Sequence, residues 1–479
     1  MANPQIVTAL FPDLLWSDQR FQLDRGVLIS ELGILAVKST EELNLDIEKR
    51  RENGEYVTVR RLPRRAVIPG FINTHSHAFQ RAIRGRTEYP SRRKDAQEDF
   101  WSWRSLMYQA ASELGPLDIE AVSQAVFVEM VKSGITRVGE FHYLHHQPDG
   151  TLYPEPDELA NRVLSGAVSA GISVTLLRAF YQRAGVGRSQ AEGAQRIFCD
   201  PSVDYYLETM DRLRDRGVAV GVTAHSVRAV RKTELETLIG YARKHELPFH
   251  IHVSEQTREI EECLQEYGLR PVELLNEIDA LGPATTLVHA IHLNDQEIES
   301  IGRNSCTIAS CPTTERNLGD GIVCAKQLLE AGASFTFGTD SQCQICLPED
   351  ARQLEYHLRL QHQTRSVLFS DNQEASTAFM DMLTANGAKS LGAKAGRLEV
   401  GYDADLVALD LEHLALAGTS PQSLALDILF SFVPAMVTDV WCQGTEVVTD
   451  RLHRAEHQAR DNLREVMRKL RQEEEQLPW

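Results

Sequence analysis

The sequence predicts an α/β protein: a (β/α)8 barrel carrying a small β-sandwich domain built from both termini. Three observations predict it. Eight apolar runs in the middle of the chain are each followed by a helical stretch, both ends are rich in short β-like segments, and histidines recur where the apolar runs stop.

Residues 1–65 form the N-terminal part of the sandwich. Gly26-Val27-Leu28-Ile29 and Gly33-Ile34-Leu35-Ala36-Val37 are apolar and β-branched, and Tyr56-Val57-Thr58-Val59 alternates, as half-buried strands do. Residues 66–394 form the barrel. Its apolar runs are 66–73, 136–141, 173–180, 218–224, 248–253, 285–290, 306–310 and 334–339. Strands alternating with helices argue for a parallel sheet with right-handed crossovers, and eight such units close a barrel. An open doubly wound sheet is disfavoured, since no Gly-x-Gly-x-x-Gly follows the first run. Residues 395–450 return to short strands and complete the sandwich. Residues 451–479 are highly charged, but Leu463, Val466, Met467 and Leu470 fall at helical spacing, giving a helix expected to dock on the barrel or on a second subunit.

Composition narrows the partners. Fifty Lys+Arg against 68 Asp+Glu give a net charge of −18, which repels phosphate backbones and anionic membranes. The two short basic clusters, Arg60-Arg61 to Arg64-Arg65 and Arg92-Arg93-Lys94, read as loops, so nucleic acid is not expected as a partner. Apolar runs never reach 18 residues, and Met1-Ala2-Asn3-Pro4-Gln5 does not open a secretory signal. Eight cysteines in 479 residues are no disulfide scaffold, and Cys343-x-x-Cys346 lacks a second such pair. A reducing cytoplasm is expected.

A barrel enzyme places its chemistry at the carboxyl ends of its strands. Those positions hold His75 and His77 (strand one), His142 and Tyr143 (two), His225 (four), His252 with Glu255 (five), His289 (six) and Asp340 (eight). His142, His145, His146 and His292 read as structural. Alternate residues of a strand share a face, so His75-x-His77 points two imidazoles at one place. Two converging imidazoles suit zinc, and His252 with Asp340 would complete a three-histidine, one-carboxylate site.

Pro69-Gly70-Phe71-Ile72-Asn73-Thr74-His75-Ser76-His77 resembles the first-strand signature of the amidohydrolase superfamily, and Gly338-Thr339-Asp340 its eighth-strand metal carboxylate. The stretch 396–410 is similar to the return of such chains into their sandwich. Strand four lacks the bridging lysine of binuclear members, and His252-x-x-Glu255 with His289 resembles the mononuclear deaminase branch. Longer strings, among them 77–82, 100–108, 138–146, 225–230, 250–256 and 311–321, resemble members that hydrolyse N-formimino-L-glutamate to N-formyl-L-glutamate and ammonia.

The resemblance implies one Zn2+ per subunit and a homodimer. It also implies Asp340 as ligand and base, Glu255 as proton shuttle and His289 as the group that orients water and stabilises the adduct. A substrate with two carboxylates needs local recognition. Arg228 is the first candidate, with Gln80, Tyr143 and His225 around it. Trp101 and Trp103 line a lid or pack against a neighbour. Gln342 stands where the family pattern leads one to expect histidine, which puts substrate contacts of that loop in doubt. The alternatives are another deaminase of the branch, acting on a purine, pterin or guanidino compound, hydrolysis of an imidazolone ring, or a non-catalytic scaffold.

Overall fold

The computed structural model describes residues 6–88, 100–187, 191 and 193–471. The Arg92-Arg93-Lys94 cluster lies outside these residues, as does the end of the 451–479 stretch. Among the described residues the strands form two sheets. The chain opens with β1 (Val7–Ser17), β2 (Arg20–Gln22), β3 (Arg25–Ser30), β4 (Gly33–Ser39) and β5 (Val57–Pro69). Eight strands then pair in parallel and in chain order. They are β6 (Phe71–Ser76), β7 (Ile135–His142), β8 (Ser173–Phe180), β9 (Val220–Ser226), β10 (Phe249–Val253), β11 (Thr285–His289), β12 (Thr307–Ser310) and β13 (Ser334–Phe337). The return consists of β14 (Leu406–Asp410), β15 (Val437–Cys442), β16 (Thr445–Thr449) and β17 (Leu452–His453).

The terminal strands form one mixed sheet in the order β17-β16-β15-β14-β5-β1-β3-β4, with β2 on β1. Strand β5 pairs with β1 on one side and β14 on the other, stitching the two ends of the chain together. Val27, Ile29 and Ile34 at one end of this order share a buried cluster with Leu406, Ala408 and Trp441 at the other. The expected sandwich is therefore a single hydrogen-bonded sheet that folds over onto itself.

The apolar run 66–73, expected as one strand, is divided at Gly70 between the two sheets. A Cβ at Gly70 would stand 2.1 Å from Thr136 Oγ1, so only glycine lets the backbone step from β5 into β6 there. Arg60, Arg61, Arg64 and Arg65 also depart from expectation, for they lie in β5 rather than in a loop. Strands on that side supply acidic partners: Arg60 reaches Glu446 at 2.6 Å and Arg65 reaches Asp410 at 3.0 Å.

The barrel closes between β13 and β6 just past the strand ends. Thr74 Oγ1 donates to Phe337 O (2.8 Å), Asp340 N to His75 O (3.0 Å) and His77 N to Asp340 O (3.0 Å). The seam thus runs through the residues read as ligands. The charged C-terminal helix Glu456–Arg471 buries Ala459, Val466 and Leu470. Its neighbour is the helix Pro116–Lys132 of the same chain, through Lys132–Glu456 (2.5 Å) and Asn462–Gln124 (3.2 Å). No helix among the described residues is long and apolar enough to cross a membrane.

Arg137 of β7 ties barrel to sheet. Its guanidinium sits 2.5 Å from Asp403 and 3.7 Å from the fully buried Asp405. Removing one partner of a buried pair strands the other charge. Arg137→Met should therefore destabilise the protein by about 3 kcal/mol, read as a lower urea midpoint. Arg64→Met, which breaks an exposed pair with Glu412, should cost less than about 1 kcal/mol.

Candidate active site

Three imidazole nitrogens and a carboxylate oxygen meet at the carboxyl end of the barrel. His75 Nε2 lies 3.1 Å from His77 Nε2 and 3.1 Å from His252 Nε2. Asp340 Oδ1 lies 3.4 Å from His75 Nε2 and 3.3 Å from His77 Nε2. All four side chains are buried.

Backbone carbonyls fix which nitrogens point inward. His77 Nδ1 is 2.8 Å from Phe141 O and His252 Nδ1 is 2.9 Å from His225 O. A carbonyl only accepts, so each Nδ1 donates and each Nε2 keeps its lone pair. Burial, with neighbouring histidines, pushes His77 down to about 3 and His252 well below the usual histidine range. Neutral rings therefore aim lone pairs at one another, an arrangement that a cation relieves. Ligands about 2.1 Å from one zinc-sized ion, at angles near tetrahedral or slightly compressed, lie about 3.1–3.4 Å apart. That is the spacing found, so the donor set fits a divalent metal. Asp340 suits it too: burial opposes its ionisation, but His75 and His77 hold its carboxyl below the ordinary range.

Glu255 and His289 face this group. His289 Nε2 is 3.6 Å from Glu255 Oε1 and 3.9 Å from Asp340 Oδ2. Its Nδ1 is 3.3 Å from Glu315 Oε1, and Cys311 N and Ser310 Oγ also bond that carboxylate. Burial alone would keep His289 neutral, yet Glu255, Glu315 and Asp340 together push it up to about 10. Burial raises Glu255 against the pull of His289 and Arg228. Nothing in the sequence around Glu315 marked it as the residue that turns His289.

The cavity beside the group is lined by Gln80, Tyr143, His225 and Arg228, together with Glu255, His289 and Asp340, so the structure gathers all the proposed substrate contacts. Gln80 Nε2 donates to Tyr143 OH (2.9 Å), while Gln80 Oε1 is buried with no protein partner. Burial pushes His225 well below its usual range, aided by Arg228 and Arg104. Arg228 Nη2 is 3.8 Å from Glu255 Oε2. Of the structural histidines, His145 bonds Ala179 O and His292 bonds Asp320 O, both at 2.9 Å.

Two findings go beyond expectation. The helix Phe100–Glu113 roofs the cavity: Phe100, Trp103, Arg104 and Met107 face inward, while Trp101, Arg104, Ser105 and Tyr108 line an outer chamber of about 570 Å³. Both sets have i, i+3, i+4, i+7 spacing, a signal present in the sequence that would have exposed Arg104. Gln342 is the second. It is fully buried and lines neither the inner cavity nor the outer chamber; its amide bonds Ser76 Oγ and Asp340 O inside the seam. The doubt over substrate contacts at this side chain is thereby removed, for the seam occupies it.

Known proteins resemble this chain. Residues 66–447 match the amidohydrolase family. The chain is 38% identical over 410 residues to formimidoylglutamate deiminase of Pseudomonas aeruginosa, covering 85% of this chain and 89% of that protein. It is 26% identical to a 5-methylthioadenosine/S-adenosylhomocysteine deaminase of Natronomonas pharaonis, over 80% of this chain and 82% of that one. The crystal structure of an amidohydrolase from Brucella melitensis superposes with a TM-score of 0.85 at 32% identity, covering 97% of this chain and 99% of that one.

If these four side chains hold the metal, His77→Ala and Asp340→Ala should purify with metal content far below that of the parent, measured by plasma mass spectrometry. Glu255→Gln should retain it.

Proposed function

The chain belongs to the amidohydrolase family, and from that premise we propose that it hydrolyses N-formimino-L-glutamate to N-formyl-L-glutamate and ammonia. The observation that carries this proposal is one cavity in which the metal-ligand group, the buried pair Glu255–His289 and the guanidiniums of Arg228 and Arg104 face one another. The 38% identity to the Pseudomonas aeruginosa deiminase over most of both chains supports the same substrate. Three nitrogen ligands and one carboxylate support zinc, one ion per chain. Eight free cysteines support a reducing cytoplasm.

A divalent metal held by His75, His77, His252 and Asp340 supplies, when bound, a water whose pKa is brought near neutrality. The side chains do the rest. Asp340 Oδ2, turned towards His289, accepts the first proton of the attacking water. Its oxygen adds to the amidine carbon of HN=CH–NH–R, giving a tetrahedral carbon that bears an amino group, a hydroxyl, a hydrogen and the NH–R nitrogen. His289, held charged by three carboxylates, donates to that oxygen as charge develops. Glu255, whose ionisation burial disfavours, delivers a proton to the departing nitrogen. The C–N bond breaks, leaving O=CH–NH–R and ammonia.

Arg228 and Arg104 offer planar forks for the two glutamate carboxylates. Gln80 Oε1, buried without a partner, is placed to accept from the amidine N–H, and Tyr143 adds a hydroxyl. A purine deaminase would have little use for two arginines at the cavity wall.

Glu255→Gln should lower kcat for ammonia release from N-formimino-L-glutamate by about a thousandfold, since general acid–base groups contribute about that much; undiminished turnover would remove Glu255 from the reaction. Arg228→Met should raise KM at least about tenfold with metal content unchanged, the loss of a charge-assisted contact. In a substrate panel scored by ammonia release, N-formimino-L-glutamate should exceed 5-methylthioadenosine; the reverse order would overturn the assignment.

A further inference from the structure

Asp340 reaches the imidazole group from a backbone that an L-residue adopts at a cost. Its φ is +46°, and two residues later Gln342 has φ +61°. Neither is glycine, and left-handed conformation costs roughly 1–2 kcal/mol per ordinary residue. Such strain persists only where the surroundings over-determine it. Gly338, just before this turn, has no slack to share it, because a Cβ there would stand 2.7 Å from His75 Cβ and 2.8 Å from His75 O.

The surroundings are a buried hydrogen-bond chain with one direction. Asn73 Nδ2 donates to Thr339 Oγ1 (2.7 Å), Thr339 Oγ1 to Gln342 Oε1 (2.8 Å), Gln342 Nε2 to Ser76 Oγ (2.9 Å), and Ser76 Oγ to Glu140 Oε2 (2.6 Å). The second proton of Gln342 Nε2 goes to the carbonyl of Asp340 itself, at 2.8 Å. That carbonyl also accepts from His77 N. Both ends of the chain are anchored: Thr339 N donates to Asn73 Oδ1, and Ala78 N to Glu140 Oε1. The direction fixes the amide's orientation, oxygen towards Thr339 and nitrogen towards Ser76 and Asp340.

Gln342 is thus the residue that spans the seam, gripping the Asp340 peptide and the strand between His75 and His77 with one amide group. We propose that Gln342 is a positioning residue for the metal site: its amide locks the Asp340 turn and the His75–His77 strand in one mutual position, and so sets metal affinity without touching substrate. This rests on the assignment of His75, His77, His252 and Asp340 as metal ligands. The requirement is chemical and not only spatial. A carboxylate of the same shape would present an acceptor to the Asp340 carbonyl, where a donor is needed, and another to Thr339.

The test is zinc affinity of the metal-stripped full-length protein, measured by competition with a chromophoric chelator, for the parent, Gln342→Met and Gln342→Glu. Both variants should bind zinc at least tenfold more weakly. Their thermal midpoints without metal should stay within a few degrees of the parent's. At saturating zinc, kcat should return towards the parent value with KM unchanged. Thr339→Val, which removes only the donor to Gln342 Oε1, should shift affinity in the same direction by a smaller factor, and it serves if the Gln342 variants do not fold. Parental zinc affinity in folded variants would overturn the proposal. So would lost stability with unchanged affinity, which marks a merely structural role. If the parent itself bound no zinc, the ligand assignment would fail instead, a separately visible result.

Discussion

Three neutral imidazoles forced to share one point are the constraint on which this site turns. Their lone pairs cannot relax away from one another, because the opposite ring nitrogens of His77 and His252 are committed to the carbonyls of Phe141 and His225. Those carbonyls belong to β7 and β9, so strand register in the barrel dictates where the lone pairs meet. Asp340 joins from the last strand, through the same hydrogen bonds that close the barrel between β13 and β6. Closing the fold and assembling the ligand group are one physical event.

The electrostatics follow from that arrangement. A chain of net charge −18 concentrates carboxylates around a single ring, with Glu255, Glu315 and Asp340 all within 3.9 Å of a nitrogen of His289. In a buried setting this outweighs desolvation and holds the ring charged. The neighbouring imidazoles, with carbonyls for partners, stay neutral. Identical side chains at adjacent strand ends thus acquire opposite tendencies, ligand on one side and proton donor on the other, through the partner of Nδ1 and the carboxylates beyond it.

Much of this was legible in the sequence, because barrel strands are short apolar runs with a polar residue where each one ends. The alternation of His75 and His77 announced a shared face. What stayed hidden had no local signature. The run 66–73 carries no polar mark at Gly70, so its division between two sheets depends on contact with Thr136, more than sixty residues away. The parallel pairing of β1 with β5 is equally non-local. Glu315 lies 26 residues from the ring it turns. Gln342 was visible as a departure, but whether its amide met substrate or seam depended on two left-handed residues that spacing does not reveal. Arg104 is different. Its helical spacing with Phe100, Trp103 and Met107 was available, and the aromatic neighbours drew attention away from it.

The outer wall shows why a strongly acidic protein can still take a dianion. The Trp101 ring is approached by Arg258 at 4.5 Å, Arg104 at 5.5 Å and Arg228 at 5.7 Å. An indole face attracts each cation, but it cannot cancel three of them. Arg258 is satisfied by Glu262 at 2.8 Å. Arg104 holds the neutral hydroxyl of Tyr181 at 3.0 Å, and Arg228 stands 3.8 Å from Glu255, beyond a direct hydrogen bond. Two guanidiniums therefore keep binding capacity on the path to the ligand group. Because they are partly shielded from water, each is worth more to an incoming carboxylate than a surface arginine would be. Local field and not net charge decides which anion enters, and the two open forks are set at the wall where the two carboxylates of the substrate must be received.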